Sequence, residues 1–252
     1  QEGHDEISSL LIRHGAFADV RTSKGANGIL LRLSKSDEGT ASVAHLLSCG
    51  MSPSAVDSSS GKSSLHVAVL GFHIESARLL IESGADISTR DAHGRTPLHF
   101  TYFGGPEMVL ALFERGADIH ARDRIARTAL HYAALCFNIS VINCLVELGS
   151  DINAKDASGW SPLMHACSWD ESEADLGGDD TMCVIGEILR LGGRINARTF
   201  RGLTALHFVC ALGRQDSAIQ LVAAGARLEA RTRSGRTALH LAAIANRTNL
   251  VQ

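Results

Sequence analysis

The sequence predicts an all-α fold, a solenoid of short helical repeats, on three observations. The first is a recurring phrase: GKSSLHVA (61–68), GRTPLHFT (94–101), ARTALHYA (126–133), GLTALHFV (202–209) and GRTALHLA (235–242), with GWSPLMHA (159–166) carrying Met164 in the histidine slot. The slot falls at 66, 99, 131, 164, 207 and 240, in steps of 33, 32, 33, 43 and 33 residues. Such a period marks a fold that grows by adding units. The second is a trailing phrase: GADIST (84–89), GADIHA (116–121), GSDINA (149–154), GGRINA (192–197) and GARLEA (225–230). The third is an apolar triple at i, i+3 and i+4 that keeps register before each closing glycine.

Residues 91–120 show why one unit folds as it does. Asp91-Ala-His-Gly94 is a tight turn, because Asp bonds the backbone two residues on and Gly accepts positive φ. Thr96 caps a first helix and Pro97 takes its first position, where no N–H is needed. Gly104-Gly105-Pro106 ends that helix, and a second begins near Glu107. Val109, Leu112 and Phe113 share one face of it, and Gly116 closes it in the left-handed conformation. The same triple reads Val43/Leu46/Leu47, Ala77/Leu80/Ile81, Ile142/Leu145/Val146, Ile185/Ile188/Leu189 and Ala218/Leu221/Val222, with Ser8/Leu11/Ile12 fitting less well. A helix pair this short cannot bury its face alone, so neighbouring units must cover it.

In chain order, residues 1–20 form the second half of a repeat, ending GAFADV, and 21–56 a degenerate repeat with NGIL in place of TPLH. Regular repeats cover 57–90, 91–122 and 123–155. The repeat at 156–198 carries an acidic insertion, SWDESEADLGGDDT (168–181), expected to be a solvated loop. A regular repeat covers 199–231, and 232–252 is cut after a first helix. Both ends fall inside a repeat, so the chain reads as a single repeat domain taken from a longer array.

These residues resemble the ankyrin repeat family, because turn, cap, histidine, helix face and GAD-like ending recur in order along essentially the whole chain. The resemblance implies an ankyrin-repeat solenoid of stacked antiparallel helix pairs with projecting β-hairpin fingers. It implies an L-shaped, curved body whose concave face binds proteins.

Composition agrees. The chain is 45% apolar but 5% aromatic, which suits many small alanine- and leucine-lined interfaces, and its net charge of −3 points to no partner class. No run of apolar residues is long enough to span a membrane. The six cysteines (49, 136, 144, 167, 183, 210) lack CxxC spacing and read as small buried hydrophobes in a reducing compartment, intracellular and cytoplasmic, with the nucleus compatible.

Candidate chemistry dissolves on inspection. The histidines at 66, 99, 131, 207 and 240 lie one repeat apart, too far for a shared metal ion, and are expected to bond loop backbone between repeats. Met164 forfeits that bond. Gly61-Lys-Ser-Ser64 mimics the tail of a phosphate loop, but Val56 occupies the first glycine position. No catalytic residue, cofactor, metal site or small-molecule substrate is expected. Asn153, near Asp151 and downstream of Leu145, has the look of an ankyrin asparagine open to hydroxylation, and equally of an ordinary finger asparagine.

Function is expected instead from residues the repeat pattern does not explain. On the fingers these are Ile125, Trp160, Phe200, Arg201 and Leu203. After the histidine slot, Val67, Phe100, Tyr132, His165, Phe208 and Leu241 are expected to face the concave side, and Trp169 opens the insertion. Finger cations Arg95 and Arg127 add to a basic column of Arg21, Arg90, Arg122, Lys155, Arg198 and Arg231. Ala126 replaces a turn glycine, so its finger is expected to be distorted or strained. The reading is an interaction scaffold whose partner is a protein or an acidic peptide. Two alternatives stand beside it: an array that targets an enzyme or channel lying outside this sequence, and nucleic-acid binding along the basic edge, which few stacking aromatics support.

Overall fold

The computed structural model describes residues 40–48, 51–168 and 178–245, with side chains from 181 onward in the last segment. Outside the described residues lie the half repeat 1–20, most of the degenerate repeat 21–56, Arg21, Cys49, Trp169 and the insertion through residue 177. The described residues form twelve helices and no strand. The chain divides into two compact units, Gln1–Arg124 and Ile125–Gln252.

The first unit holds α1 (Thr40–Ser48), α2 (Ser64–Leu70), α3 (Ile74–Glu82), a 3₁₀ helix (Pro97–Phe103) and α4 (Pro106–Phe113). The second holds α5 (Ala129–Leu135), α6 (Ile139–Glu147), α7 (Pro162–Ser168), α8 (Gly178–Arg190), α9 (Ala205–Leu212), α10 (Gln215–Ala223) and α11 (Ala238–Ile244). Within each unit the first helices of successive repeats form one layer and the second helices another. In the first unit α2 packs on the 3₁₀ helix, and α3 on α1 and α4; in the second the layers are α5–α7–α9–α11 and α6–α8–α10. Alanines permit close approach in the first layer, where Ala68, Ala133, Ala134 and Ala166 are fully buried.

Thr96 caps its helix and Pro97 takes the first position as expected, but the helix is 3₁₀. Its sequence PLHFTYF has no alanine, and the Thr101 hydroxyl bonds back to the Leu98 carbonyl at 2.9 Å. Bulky and β-branched residues weaken the α form there.

The second helices correct the expected triple. Its first two members are buried in every described copy, but the third varies: Ile81 is buried at 8%, while Phe113 is 37% and Val222 43% exposed. The third buried position is instead the residue before the triple, namely Ser42, Ser76, Met108, Val141, Val184 and Ser217. Serine fills it in three copies, so an apolar pattern could not reveal it.

The fingers are tight turns rather than ladders. The one at 91–95 is closed by Asp91 N–H to the Arg95 carbonyl and Gly94 N–H to the Asp91 carbonyl, each 2.9 Å. The sole bridge among the described residues joins Val56 and Ser63. Ala126 holds φ +61° where Gly94 has +78°, so of the two expected outcomes, distortion or strain, the backbone shows strain at that one residue. The insertion also needs correction: residues 178–181 are the first turn of α8, not loop, and Asp179 and Asp180 suit a helix N-terminus. Five cysteines among the described residues form no disulfide; Cys144, Cys167 and Cys210 are buried as expected, but Cys183 is exposed.

Candidate functional site

The histidine column has two jobs. In the cap of α2, Nδ1 of His66 accepts from the Ser63 backbone N–H at 3.1 Å, and the same geometry joins His99 to Thr96, His131 to Thr128 and His207 to Thr204. Nδ1 is therefore an acceptor and Nε2 carries the proton. That proton is donated across to the next finger: to the Arg95 carbonyl from His66 (2.9 Å), to Trp160 from His131 (3.3 Å) and to Arg236 from His207 (3.3 Å). Burial pushes His66 and His131 down to about 4, against the pull of those carbonyls, and lowers His207 too. Where Met164 stands, the Ser161 hydroxyl is buried with no partner.

A second column governs the surface. From Asp91 on, each finger opens with a carboxylate or Thr, and in the fingers of Asp91, Asp123 and Asp156 the side chain four residues later packs against the residue following the histidine slot. Arg95 bonds Asp91 Oδ2 through Nε at 2.8 Å and lies 4.4 Å from the Phe100 ring centre, with the Lys62 amine 5.3 Å from the same ring. Burial works against the Asp91 charge, but Arg95 and the backbone N–H groups of Arg95 and His93 hold its pKa below the ordinary range. Arg127 repeats the arrangement over Tyr132 at 4.4 Å and bonds its hydroxyl at 2.6 Å.

The next repeats break the column. Trp160 stands in the arginine position, and His165 takes over the carboxylate, with Nε2 to Asp156 Oδ2 at 3.0 Å. Desolvation opposes ionisation of Asp156, and the His165 bond with the Trp160 and Ser158 N–H groups outweighs it, so its pKa is lowered. Trp160 rests 5.2 Å from His165 and 4.4 Å from Phe208, and His131 meets His165 edge-on at 5.3 Å. One finger further on, Thr199 replaces the carboxylate and Leu203 the cation. A cleft of about 430 Å³ opens there, lined by Asp156, Trp160, His165, Phe200, Arg201 and Leu203 among others.

Backbone bonds hold successive fingers side by side. Within the first unit Ala92 N–H reaches Ser60 O and Arg124 N–H reaches His93 O. Within the second, Ala157 reaches Ile125, Phe200 reaches Ser158 and Arg233 reaches Arg201, all between 2.8 and 3.1 Å. Gly159 is needed for this approach, since a Cβ there would sit 2.9 Å from the Phe200 nitrogen. The basic column serves the same seam. Arg90 donates to the carbonyls of Arg122 (2.6 Å) and Gly94 (2.7 Å), Lys155 to Arg198 (3.1 Å), and Arg198 to Arg231. These donors grip backbone, which favours a structural role over a phosphate-gripping edge. Asn153 is likewise a staple, donating to Gly192 O at 3.1 Å and accepting from Arg194 N at 2.7 Å, a pattern Asn196 repeats on Gly225 and Arg227.

The structure thus brings together Trp160, His165, Phe200, Arg201, Leu203 and Phe208, all in the second unit, with Arg127 stacked on Tyr132 in the same unit. Ile125 and Phe200 stand out at 49% and 54% exposure. Arg95 and Phe100 form their own pair in the first unit. One expectation is corrected: Phe100, Tyr132 and His165, like Val67, are buried, at 8% exposure or less. They floor the surface beneath Arg95, Arg127 and Trp160 rather than facing a partner, because the finger side chain folds down over each. Sequence reading missed Asp156; the recurrence of Asp at 91, 123 and 156 was the available signal. Trp169 lies outside the described residues.

A family profile described as ankyrin repeats (3 copies) matches residues 30–123, 102–174 and 180–252. The chain is 28% identical over 155 residues to the B-cell lymphoma 3 protein homolog of Mus musculus, covering 59% of this chain and 32% of that one. It is 31% identical over 111 residues to the putative ankyrin repeat protein FPV223 of Fowlpox virus (strain NVSL), covering 44% and 78%. A further match, 31% identical over 82 residues (32% of this chain), spans 5% of the E3 ubiquitin-protein ligase KEG of Arabidopsis thaliana. The chain therefore spans a third or less of KEG and of the lymphoma 3 homolog. Among solved structures, the human ASB11 ankyrin repeat domain superposes with a TM-score of 0.73 at 23% identity, covering 88% of this chain and 97% of that one, a likeness of fold.

Proposed function

The chain belongs to the ankyrin repeat family, and on that premise we propose that it is a non-catalytic interaction module that binds a protein or peptide through the fingers of its second unit. The observation that carries this reading is the cleft between the fingers of Trp160 and Leu203. There the ion-paired arginine of earlier repeats gives way to Trp160, Phe200 and Leu203. Tryptophan, tyrosine and arginine anchors at a partly desolvated depression are where interface energy concentrates. Free cysteines suit a reducing cytoplasmic or nuclear setting. An enzyme or channel elsewhere on a longer polypeptide would fit the same role, with this array choosing what it meets. No helix among the described residues is long and apolar enough to cross a membrane.

A photo-crosslinking amino acid placed at position 200 or 125, in lysate, tests the surface against position 219, where Ile219 is 58% exposed on α10. Discrete protein adducts from 200 and 125 and none from 219 are expected. The reverse pattern would move the interface to the second helices.

A further inference from the structure

We infer that the cleft takes an extended acidic peptide segment, with one large apolar side chain seated between Trp160 and Leu203 and carboxylates on the arginines beside it. The inference rests on the proposed interaction role and specifies the partner's chemistry.

The cleft has a definite origin. In the finger of Asp91, a carboxylate and a cation four residues apart pair and lay the guanidinium over Phe100. In the finger of Thr199 both charges are gone, while Trp160, which lines the cleft, packs on the half-buried Phe208 beside it at 4.4 Å. Leucine is shorter than arginine, and the space stays open at about 430 Å³. Its walls are largely apolar, and Asp156 within it is already held by His165 and two backbone N–H groups. An apolar side chain entering here removes apolar surface from water on both partners without stranding a polar group.

The rim supplies the charge. Thr199 and Thr232 replace the carboxylates that open the earlier fingers, so Arg201, Arg233 and Arg236 are exposed, and none of their guanidinium groups pairs with a carboxylate among the described residues. In the earlier fingers Arg95 and Arg127, at the position of Leu203 and Arg236, are used internally. Guanidinium groups without a carboxylate partner beside a largely apolar depression favour a partner that brings both an apolar anchor and carboxylates, since charge-assisted forks to carboxylate are strong and directional. A nucleic acid would find the arginines, but a single depression lined by Trp160, His165, Phe200 and Leu203 fits one side chain better than a stacked run of bases.

The test uses the whole chain and a random dodecapeptide library displayed on phage. It is panned on the wild type and on the double variant Thr199→Asp, Leu203→Arg, which rebuilds the paired arginine that fills the slot elsewhere and leaves net charge unchanged. Selection of peptides with a Leu, Ile or Phe flanked by Asp or Glu is expected. Their affinity should fall at least about tenfold on the double variant and on Arg233→Ala, Arg236→Ala, with circular dichroism unchanged. Enriched peptides without acids, equal affinity for the double variant, or tighter binding of a mixed-sequence oligonucleotide than of any selected peptide would overturn it. Adducts at position 200 with a non-acidic consensus would sink this inference and leave the interaction role standing.

Discussion

Single residues in this chain carry measurable departures from the repeat pattern. Ala126 sits at φ +61°, a conformation that costs an L-residue roughly 1–2 kcal/mol. Ala126→Gly should therefore raise unfolding free energy by up to about 1 kcal/mol, the remainder being offset by unfolded-chain entropy; a denaturant midpoint that stays put or falls would refute the strain. The caps give a paired contrast. Thr128 holds His131 Nδ1 with its hydroxyl at 3.0 Å as well as with its backbone N–H, and Thr128→Ala, which removes the hydroxyl, should cost about 1–2 kcal/mol. Ser161 has no partner for its buried hydroxyl, so Ser161→Ala should be neutral or slightly stabilising. The histidines set a pH window. His66 and His131 are uncharged in the fold down to about 4 and titrate near 6.5 when unfolded. The unfolded chain thus binds more protons between those values, and stability falls as pH drops through them, by up to about 1.4 kcal/mol per pH unit for each such histidine. Chemical denaturation at pH 7, 6, 5 and 4.5 reads this slope. Replacing both histidines should flatten it, and an unchanged slope would place the titration elsewhere.

At the scale of the helix, burial sorts residues that look alike in sequence. Leu145 is fully buried in α6, while Val222 is 43% exposed in α10, although each belongs to a copy of the recurring apolar triple. Leu145→Ala should cost about 2–5 kcal/mol; Val222→Ala should stay within about 0.5 kcal/mol. Comparable losses at the two sites would mean that the rim position packs against something outside the described residues. The helices themselves were largely legible. Cap, proline and closing glycine placed their ends, because each of those signals acts within one turn of chain. The buried serines at 42, 76 and 217 were not legible, since what hides them is the neighbouring repeat.

Across the molecule, cohesion comes from bonds between repeats as much as from buried apolar area. Asn196 ties its loop to Gly225 and Arg227, and Arg198 reaches the Arg231 carbonyl. Because a solenoid is held by nearest-neighbour terms, Asn196→Ala should cost about 1–2 kcal/mol and speed amide exchange at 225–230 well before it does so at 149–154; uniform acceleration would argue against local coupling. The candidate site shows the same division. That Trp160, Phe200 and Leu203 stand outside the repeat pattern is visible in the letters. That Phe100, Tyr132 and His165 lie beneath finger side chains is not. The amino-acid sequence by itself determined the repeat period, the helix boundaries and the positions freed from packing, because these follow from local backbone preference and periodicity. Only the tertiary structure decided which freed residues meet, which cations are tied to carbonyls and where a cleft opens. Those outcomes depend on what one repeat sets against the next, tens of residues away along the chain.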